Sequence, residues 1–335
     1  MTSKNAAPSS LNRLARAFPI RDRWASSQPA LPWRLRKTVR WSVAPIKLAW
    51  QSKLVLLLVL PVVTAGLVLQ AHAFAVHLPE VAIWTLGLSL LFALIVLKLR
   101  AATADAAFTG GCLTASLMFA TAHIPYRPWE TALAPLLTVF VLSHLATRLG
   151  SAQKERLGTA ERHNGRSAAQ VAANLGLAAL ISQNLAQYWL ADTGWFGPGF
   201  PAPPPLFALA LAALAEAAAD TVSSEVGQVL GGRPRLLTTL RKADPGTDGA
   251  ITPVGTAAGI AAAGLVAAAG ALALHGALVL FWFGWTGGIF GLFFDSLLGA
   301  TLERRGWLNN DAVNFLSTAS AATVAGVLTA ALSHR

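Results

Sequence analysis

A short polar segment, Asp220–Gly227, follows directly on the apolar run Leu206–Ala219 and contains two carboxylates and three hydroxyls. An ionised side chain at bilayer depth costs ~3 kcal/mol or more, so it usually faces a protein interior or a water-filled cavity. We therefore interpret Asp220 and Glu225 as part of a working polar site inside a membrane protein. A structural network that ties helices together is the alternative interpretation.

Other polar residues that are unusual in apolar segments are predicted at the same end of the molecule: Asp105, Asn174, Asp295, Asn309, Asn310, Asp311 and Asn314. Several carboxylates at one site favour Mg2+, which takes oxygen ligands and substrate phosphates. Arg and Lys at the rim suit phosphate oxygens. Together these groups are typical of phosphoryl transfer, in which positioning and charge neutralisation supply most of the catalysis. The acceptor is expected to be a lipid, because the site opens into the bilayer.

The loop Lys242–Gly249 combines a cation, turn-forming residues and glycines ahead of an apolar segment. A glycine-rich backbone before a helix N-terminus can bind an anion, but this loop lacks the spacing of a nucleotide-binding P-loop. The cations from Arg233 to Lys242 have a second interpretation, as charges that only orient the protein in the membrane. The seven histidines show no metal-ligand spacing, so no zinc site is expected. Ser223 and Ser224 have no plausible histidine partner for triad catalysis.

The composition places these residues in a membrane. The chain has 335 residues, 54% hydrophobic and only 12% charged, with a mean hydropathy of +0.53. Soluble domains carry about twice that charged fraction. Several runs approach the ~20 apolar residues that cross a bilayer as a helix. The sequence therefore predicts an all-α, polytopic helical membrane bundle and excludes a large soluble core.

About nine transmembrane helices are predicted within one membrane domain, residues 54–335. The third and fifth are rich in small and polar residues, so we expect them in the middle of the bundle, where close helix approach replaces lipid contact. The nine spans are 54–72, 81–99, 101–121, 131–147, 168–189, 204–229, 251–273, 277–301 and 312–332.

Positive charge is concentrated before the first span. Residues 1–53 hold eleven Lys and Arg against the single acid Asp22, and the chain as a whole carries +11. We interpret 1–53 as a basic, partly amphipathic cytoplasmic extension that binds an anionic lipid surface, and not nucleic acid, because a membrane span follows at once. All but two of the 26 cations then fall on the cytoplasmic side. A bacterial inner membrane is the expected location, with an organellar membrane as the alternative.

Several motifs together resemble a family of integral membrane proteins that includes the vertebrate transmembrane protein 19 and the plant phytyl-phosphate kinase of tocopherol synthesis. Asp220–Gly227 resembles its Asp-Thr-x-Ala-Ser-Glu-x-Gly signature, with Ser223 in place of the usual alanine. The resemblance covers about residues 80–332. The other matching stretches are Asn164–Arg166, Gln170–Asn174, Pro245–Ala250, Asp295–Ala300 and Asn309–Asn314.

The resemblance implies a membrane-embedded kinase that transfers phosphate from CTP or another nucleotide to an isoprenoid monophosphate, with magnesium. It implies that Asp220 and Glu225 hold the metal or orient the acceptor, with Asp311 as a third metal ligand. The expected catalytic residues are Asp220, Ser224, Glu225 and Asp295. The expected nucleotide and phosphate ligands are Arg162, Arg166, Asn174, Arg241, Lys242, Gly246, Thr247 and Asn310.

Two other functions stay open at this point. The family is distantly similar to CDP-lipid synthases, which transfer a nucleotidyl group and release pyrophosphate. A transporter of a phosphorylated lipid or small anion is the non-enzymatic alternative, although a transporter needs access from both sides of the membrane and these polar residues lie on one side only.

Overall fold

The computed structural model describes residues 48–159, 165–192, 204–276 and 278–333. These residues are mostly helical, which confirms the predicted all-α membrane bundle. A 3-10 turn at Pro128–Glu130 precedes α4, and a π-helical turn at Gly299–Glu303 continues α10. The helices in these ranges are α1 (Trp50–His77), α2 (Pro79–Lys98), α3 (Ala104–Ala120), α4 (Leu133–Arg148), α5 (Ser151–Leu157), α6 (Ala168–Ile181), α7 (Asn184–Asp192), α8 (Pro204–Leu230), α9 (Pro253–Ala273), α10 (Leu278–Leu298) and α11 (Asn310–Ser333).

Each predicted span coincides with a described helix, but not every helix is long enough to cross a bilayer. Six of the described helices are long and apolar enough, and α4 with α5, which meet at a 63° bend, raise the number to seven. The weak third and fifth spans are short, since α3 has 17 residues and α6 has 14. The span predicted at 168–189 is interrupted at Ser182 and Gln183, where the chain leaves α6 and continues as α7. Of the predicted basic extension, residues 1–47 lie outside the described ranges.

Helix α8 forms the centre of the bundle. In its most apolar stretch 78% of the residues are buried, against 22% for α1 and 28% for α2, most of whose leucines are exposed. The buried side of α8 consists largely of alanines, so neighbouring helices approach closely. At Gly288 of α10 an added Cβ would lie 2.8 Å from the Ala215 Cβ of α8. Small residues at such crossings allow helices to pack without a hydrophobic driving force.

The connections gather at two ends of the bundle. At one end the Arg148 guanidinium donates to the carbonyl oxygen of Leu99 at 3.1 Å, and the Asn309 amide donates to the Ser52 hydroxyl at 2.8 Å. Every Lys and Arg of the described ranges except Arg127 belongs to this end, which we call the basic end. The predicted grouping of the cationic loops at a single end is therefore present in the described part of the chain.

A small hairpin covers the basic end between α8 and α9. Its strands β1 (Arg235–Leu236) and β2 (Ala250–Ile251) pair antiparallel. Gly249, just before β2, has φ +69° and packs against the end of α10, where a Cβ would collide with the Ala300 nitrogen and the Ser296 carbonyl oxygen. Only glycine combines this backbone conformation with this close approach. The hairpin loop is thereby held against α10.

Candidate functional site

A cavity of about 330 Å³, here called the polar cavity, lies at the basic end between α6, α8, α10, α11 and the hairpin loop. It brings together residues that the sequence places far apart and that belong to five separate elements. The residues singled out from the sequence that line it are Arg166, Asn174, Asp220, Ser224, Glu225, Gly246, Thr247, Asp295, Asn310 and Asn314.

Five other described residues named from the sequence do not line this cavity, among them Asn309, whose amide donates to the Ser52 hydroxyl. Arg241 and Lys242 are exposed on the hairpin. Asp311, expected as a metal ligand, accepts a hydrogen bond from the Ser52 hydroxyl at 2.5 Å and ties α11 to α1. Asp105 is exposed at the start of α3. Arg162 lies outside the described residues.

The backbone around Arg166 is fixed from both sides. Its N–H donates to the Ala101 carbonyl oxygen at 3.0 Å, and its own carbonyl oxygen accepts from the Thr103 N–H at 3.0 Å. Helix α6 then begins with a capping box, in which Ser167 and Gln170 satisfy each other's backbone N–H groups. From this anchored position the Arg166 guanidinium reaches α8 and donates to the Thr221 hydroxyl at 3.2 Å. Arg166 is therefore a preorganised cation at the wall of the cavity.

Asn174 lies two turns further along α6. Its amide nitrogen donates to the Gln170 carbonyl oxygen at 2.8 Å, so its own side-chain oxygen is the atom offered to a ligand. The residue is buried and lines the polar cavity.

Carboxylates crowd one side of the polar cavity. Asp220 of α8 lies within hydrogen-bonding range of Asp295 of α10, and the positive charge of Arg166 acts on it. Glu303 lies close to Asp248 and Asp220, and both Glu303 and Asp248 also line the cavity. Neighbouring carboxylates repel one another unless a proton or a cation lies between them. The arrangement therefore calls for a positive charge beyond that of Arg166.

These carboxylates fit a magnesium ion that shares its coordination with a phosphate. Within the described residues the Oδ2 atom of Asp295 is buried without a hydrogen-bond partner, as are both carboxylate oxygens of Glu216 behind it. Mg2+ commonly uses one or two carboxylates and completes its shell with water and substrate phosphates. Across the described ranges, no three carboxylate side chains of this cavity converge within 4.8 Å. The donor set therefore suits a metal–phosphate complex better than a closed protein cage.

Glu225 has a different partner from the one expected. Its Oε2 lies 2.5 Å from the ammonium nitrogen of Lys154, a side chain that is only 2% exposed. The Lys154 ammonium also donates to the carbonyl oxygens of Ala146 and Thr147 at 3.2 and 2.6 Å. Since a buried lysine must be paired, this contact compensates the charge of Glu225. Ser224, the remaining proposed catalytic residue, is exposed at the rim and donates to the Thr221 carbonyl oxygen at 3.1 Å.

Sequence reasoning missed three residues of this site. Lys154 was counted only among the loop cations, because nothing in the sequence shows that the bend after α4 returns it to α8. Asp248 lies inside the family-like stretch Pro245–Ala250 but is not among the site residues predicted from the sequence. Glu303 had a usable signal, since Asp295, Gly299 and Glu303 follow at spacings of four and share one helical face.

A second cavity of about 380 Å³, here called the apolar cavity, lies beside the first between α2, α3, α4 and α6. Its inner walls are apolar, with Phe92, Leu136 and Phe140 among them. Arg166 and Asn174 line both cavities, so the polar and apolar spaces meet at these two residues. The lining chemistry of the two spaces suits a molecule with a hydrocarbon chain and an anionic head.

The comparisons with known proteins agree with this membrane architecture. The chain matches the family described as Integral membrane protein DUF92 over residues 87–322. It is 37% identical over 183 residues to the uncharacterized membrane protein MJ0933 of Methanocaldococcus jannaschii, which covers 55% of this chain and 70% of that one. It is 30% identical over 198 residues to the uncharacterized membrane protein sll0875 of Synechocystis sp., and this alignment covers 57% of this chain and 70% of that one.

A plant relative has a similar sequence identity to the chain. The chain is 29% identical over 198 residues to Protein VTE6, chloroplastic, of Arabidopsis thaliana, covering 56% of this chain and 55% of that one. No solved structure matches the chain. The relatives come from an archaeon, a cyanobacterium and a plant chloroplast, and the family resemblance inferred from the motifs is confirmed. On its match to more than half of the chain, the protein belongs to the DUF92 family of integral membrane proteins.

Proposed function

We propose that the protein is a membrane-embedded kinase that transfers a phosphoryl group from CTP or another nucleotide to an isoprenoid monophosphate. The observation that carries this proposal is the junction of the two cavities. A preorganised arginine, Arg166, lies where an apolar cavity meets a carboxylate-rich polar cavity. The resemblance to the family that includes the plant phytyl-phosphate kinase supports the isoprenoid monophosphate as acceptor.

The acceptor fits with its hydrocarbon chain in the apolar cavity and its phosphate beside Arg166 and Asn174. The donor phosphates fit on the opposite side, against the hairpin loop at Gly246 and Thr247. In the transfer, an oxygen of the acceptor phosphate attacks the terminal phosphorus of the nucleotide. The bond from that phosphorus to its bridging oxygen breaks, and the nucleoside diphosphate leaves.

The protein groups supply positioning and charge neutralisation, which dominate phosphoryl transfer. Arg166 neutralises charge on the phosphates where the two substrates meet. Asp220 and Asp295 would hold magnesium, which when bound neutralises the oxygens of the donor. The acceptor is already an anion, so the reaction needs no general base, and the rim hydroxyl of Ser224 has no required role in it.

We further propose that the basic end faces the cytoplasm. The described cations lie at that end with the exception of Arg127, as the positive-inside rule favours for short connecting loops. Nucleotides would then reach the polar cavity from the cytoplasm. A bacterial inner membrane is the proposed location, and an organellar membrane is the alternative.

The proposal is tested with the purified full-length protein in lipid nanodiscs. Isoprenoid monophosphates of several chain lengths are incubated with magnesium and with CTP or ATP labelled at the terminal phosphate. We expect label in an isoprenoid diphosphate and release of the nucleoside diphosphate. Release of pyrophosphate with a nucleotidyl-lipid product would instead identify a CDP-lipid synthase. No turnover with any of these pairs, together with substrate transport in proteoliposomes, would favour the transporter.

A further inference from the structure

At the end of the bundle opposite the polar cavity, three side chains from two connections converge. His123 follows α3, Glu130 ends the 3-10 turn before α4, and His275 follows α9. The Nε2 atoms of His123 and His275 each lie 3.2 Å from the same carboxylate oxygen, Glu130 Oε2. All three atoms lie within 4.8 Å of one another, and the two imidazole rings are nearly perpendicular.

We propose that His123, Glu130 and His275 form a transition-metal site, best suited to Zn(II), that no part of the proposed kinase activity requires. Two imidazoles with one carboxylate are an established zinc ligand set, with a fourth position left to water. Imidazole nitrogen favours Zn, Cu and Ni over magnesium. The site therefore differs in chemistry, as well as in place, from the carboxylates of the polar cavity.

The separations match those of bound ligands. Zinc binds nitrogen and oxygen at about 2.0–2.2 Å, so two ligands of a tetrahedral ion lie about 3.3 Å apart. Both His–Glu separations are 3.2 Å. The ligand nitrogens of the two histidines lie within 4.8 Å of each other, so side-chain rotations that bring them closer would complete the ligand geometry.

The other carboxylate oxygen of Glu130 is held from behind. It accepts a hydrogen bond from the Arg127 guanidinium at 2.9 Å, which leaves the oxygen that faces both histidines for the metal. A hydrogen-bonded ligand of this kind is the usual outer support of a metal site.

The connection between α3 and α4, which carries two of the three ligands, is closed by its own hydrogen bonds. Before α4, the Ala132 N–H donates to the Thr121 hydroxyl at 2.9 Å, and the Thr131 hydroxyl donates to the Pro128 carbonyl oxygen at 2.6 Å. These bonds close the loop that holds His123 and Glu130.

His275 occupies an unusual position. It has φ +48° just after α9, a place where glycine is the common residue because other side chains strain the backbone there. The residue that follows it is Gly276. Its side chain is 63% exposed, as an ion entering from solvent requires. A bound metal would tie the connection before α4 to the connection after α9.

The competing explanation is a pair of His–Glu ion pairs with no affinity for metal. The two are separated by titrating the untagged, chelator-treated, full-length protein with Zn(II) against a chromophoric chelator. We expect one Zn(II) per chain, and at least tenfold weaker binding in His123→Ala and in His275→Ala. His77→Ala is the matched control, since His77 is an exposed histidine of the same end and should leave the affinity unchanged.

Two further measurements keep the result interpretable. Glu130→Gln retains both imidazoles and should also bind at least tenfold more weakly, whether or not an alanine variant folds poorly. Zn(II) should raise the unfolding temperature of the parent protein and of His77→Ala, and of none of the site variants. Absence of stoichiometric binding, or binding that survives all three site substitutions, overturns the proposal, and kinase activity plays no part in either outcome.

Discussion

The ammonium nitrogen of Lys154 lies 2.5 Å from Glu225 Oε2, and this ion pair forms part of the wall between the two cavities. Lys154 lines the apolar cavity and Glu225 lines the polar cavity. Because Lys154 is on α5 and Glu225 on α8, the pair also fixes the bent α4–α5 segment against the centre of the bundle.

Breaking this pair on one side should destabilise the protein. Lys154→Met leaves the charge of Glu225 without its partner, and removal of one member of a buried pair costs about 3–5 kcal/mol. Unfolding by denaturant in lipid or detergent measures the loss. The double variant Lys154→Met with Glu225→Gln should recover most of it, and Lys98→Met, at an exposed lysine, should change little. Equal instability of the single and double variants would show that the pair is not the cause.

The carboxylate pair Asp220 and Asp295 should be required for turnover. Asp220→Asn and Asp295→Asn remove the negative charge that would hold magnesium, and each is expected to lower kcat about 100-fold or more. The proteins should still fold, because an amide keeps the shape and relieves the repulsion between carboxylates. The matched control is Glu80→Gln, an exposed carboxylate at the opposite end. Full activity in Asp295→Asn at low magnesium would contradict the assigned role.

The hairpin loop should control the nucleotide more than the lipid. Gly249→Ala introduces a Cβ that collides with α10, so the loop must move away from the polar cavity. We expect the KM for the nucleotide to rise about tenfold or more, for a displacement costing ~1.4 kcal/mol or more, with the KM for the isoprenoid phosphate nearly unchanged. Gly232→Ala is the control, since Gly232 has a similar φ of +68° but open space around it. Equal effects at both glycines would indicate backbone strain and not loop displacement.

The apolar cavity should set the preferred length of the acceptor chain. Val139 is buried and lines this cavity, whereas Val141 on the same helix is 48% exposed on the outside. Val139→Phe should lower kcat/KM for long isoprenoid monophosphates more than for short ones, because the ring occupies space that the chain needs. Val141→Phe should leave the preference unchanged. A preference that does not change in Val139→Phe would place the chain elsewhere.

Orientation can be read from chemical labelling. In a Cys112→Ser background, Thr238→Cys reports on the exposed hairpin at the basic end and Glu80→Cys on the opposite end. A membrane-impermeant maleimide added to intact cells should label Glu80→Cys alone, and inverted vesicles should give the reverse. Labelling of Thr238→Cys in intact cells would invert the proposed topology.

Much of the fold could be predicted because hydropathy depends on local composition. Long runs such as α1 and α2 face outward and must be apolar along their length, so their spans were clear. Helices α3 and α6 pack inside the bundle, where small and polar residues replace lipid contact, and because they are also short their hydropathy signal is weak. The break at Ser182 depends on tertiary packing, which composition does not report.

Site residues could be predicted where burying a charged side chain costs free energy. Asp220 and Asp295 stood out because a carboxylate in an apolar helix is rare, and the structure brings them together. Partnerships across long sequence distances were not predictable. Three such contacts follow from how the helices are arranged. Glu225 pairs with Lys154, Asp311 accepts a hydrogen bond from Ser52, and His123 lies near His275.

Helices α10 and α8 approach so closely at Gly288 and Ala215 that a Cβ added at Gly288 would lie 2.8 Å from the Ala215 Cβ. The spacing of the two acids that these helices carry, Asp295 and Asp220, therefore depends on small residues at this crossing. Under the proposed function, a larger side chain at Gly288 would push the two acids apart and weaken their joint hold on a metal.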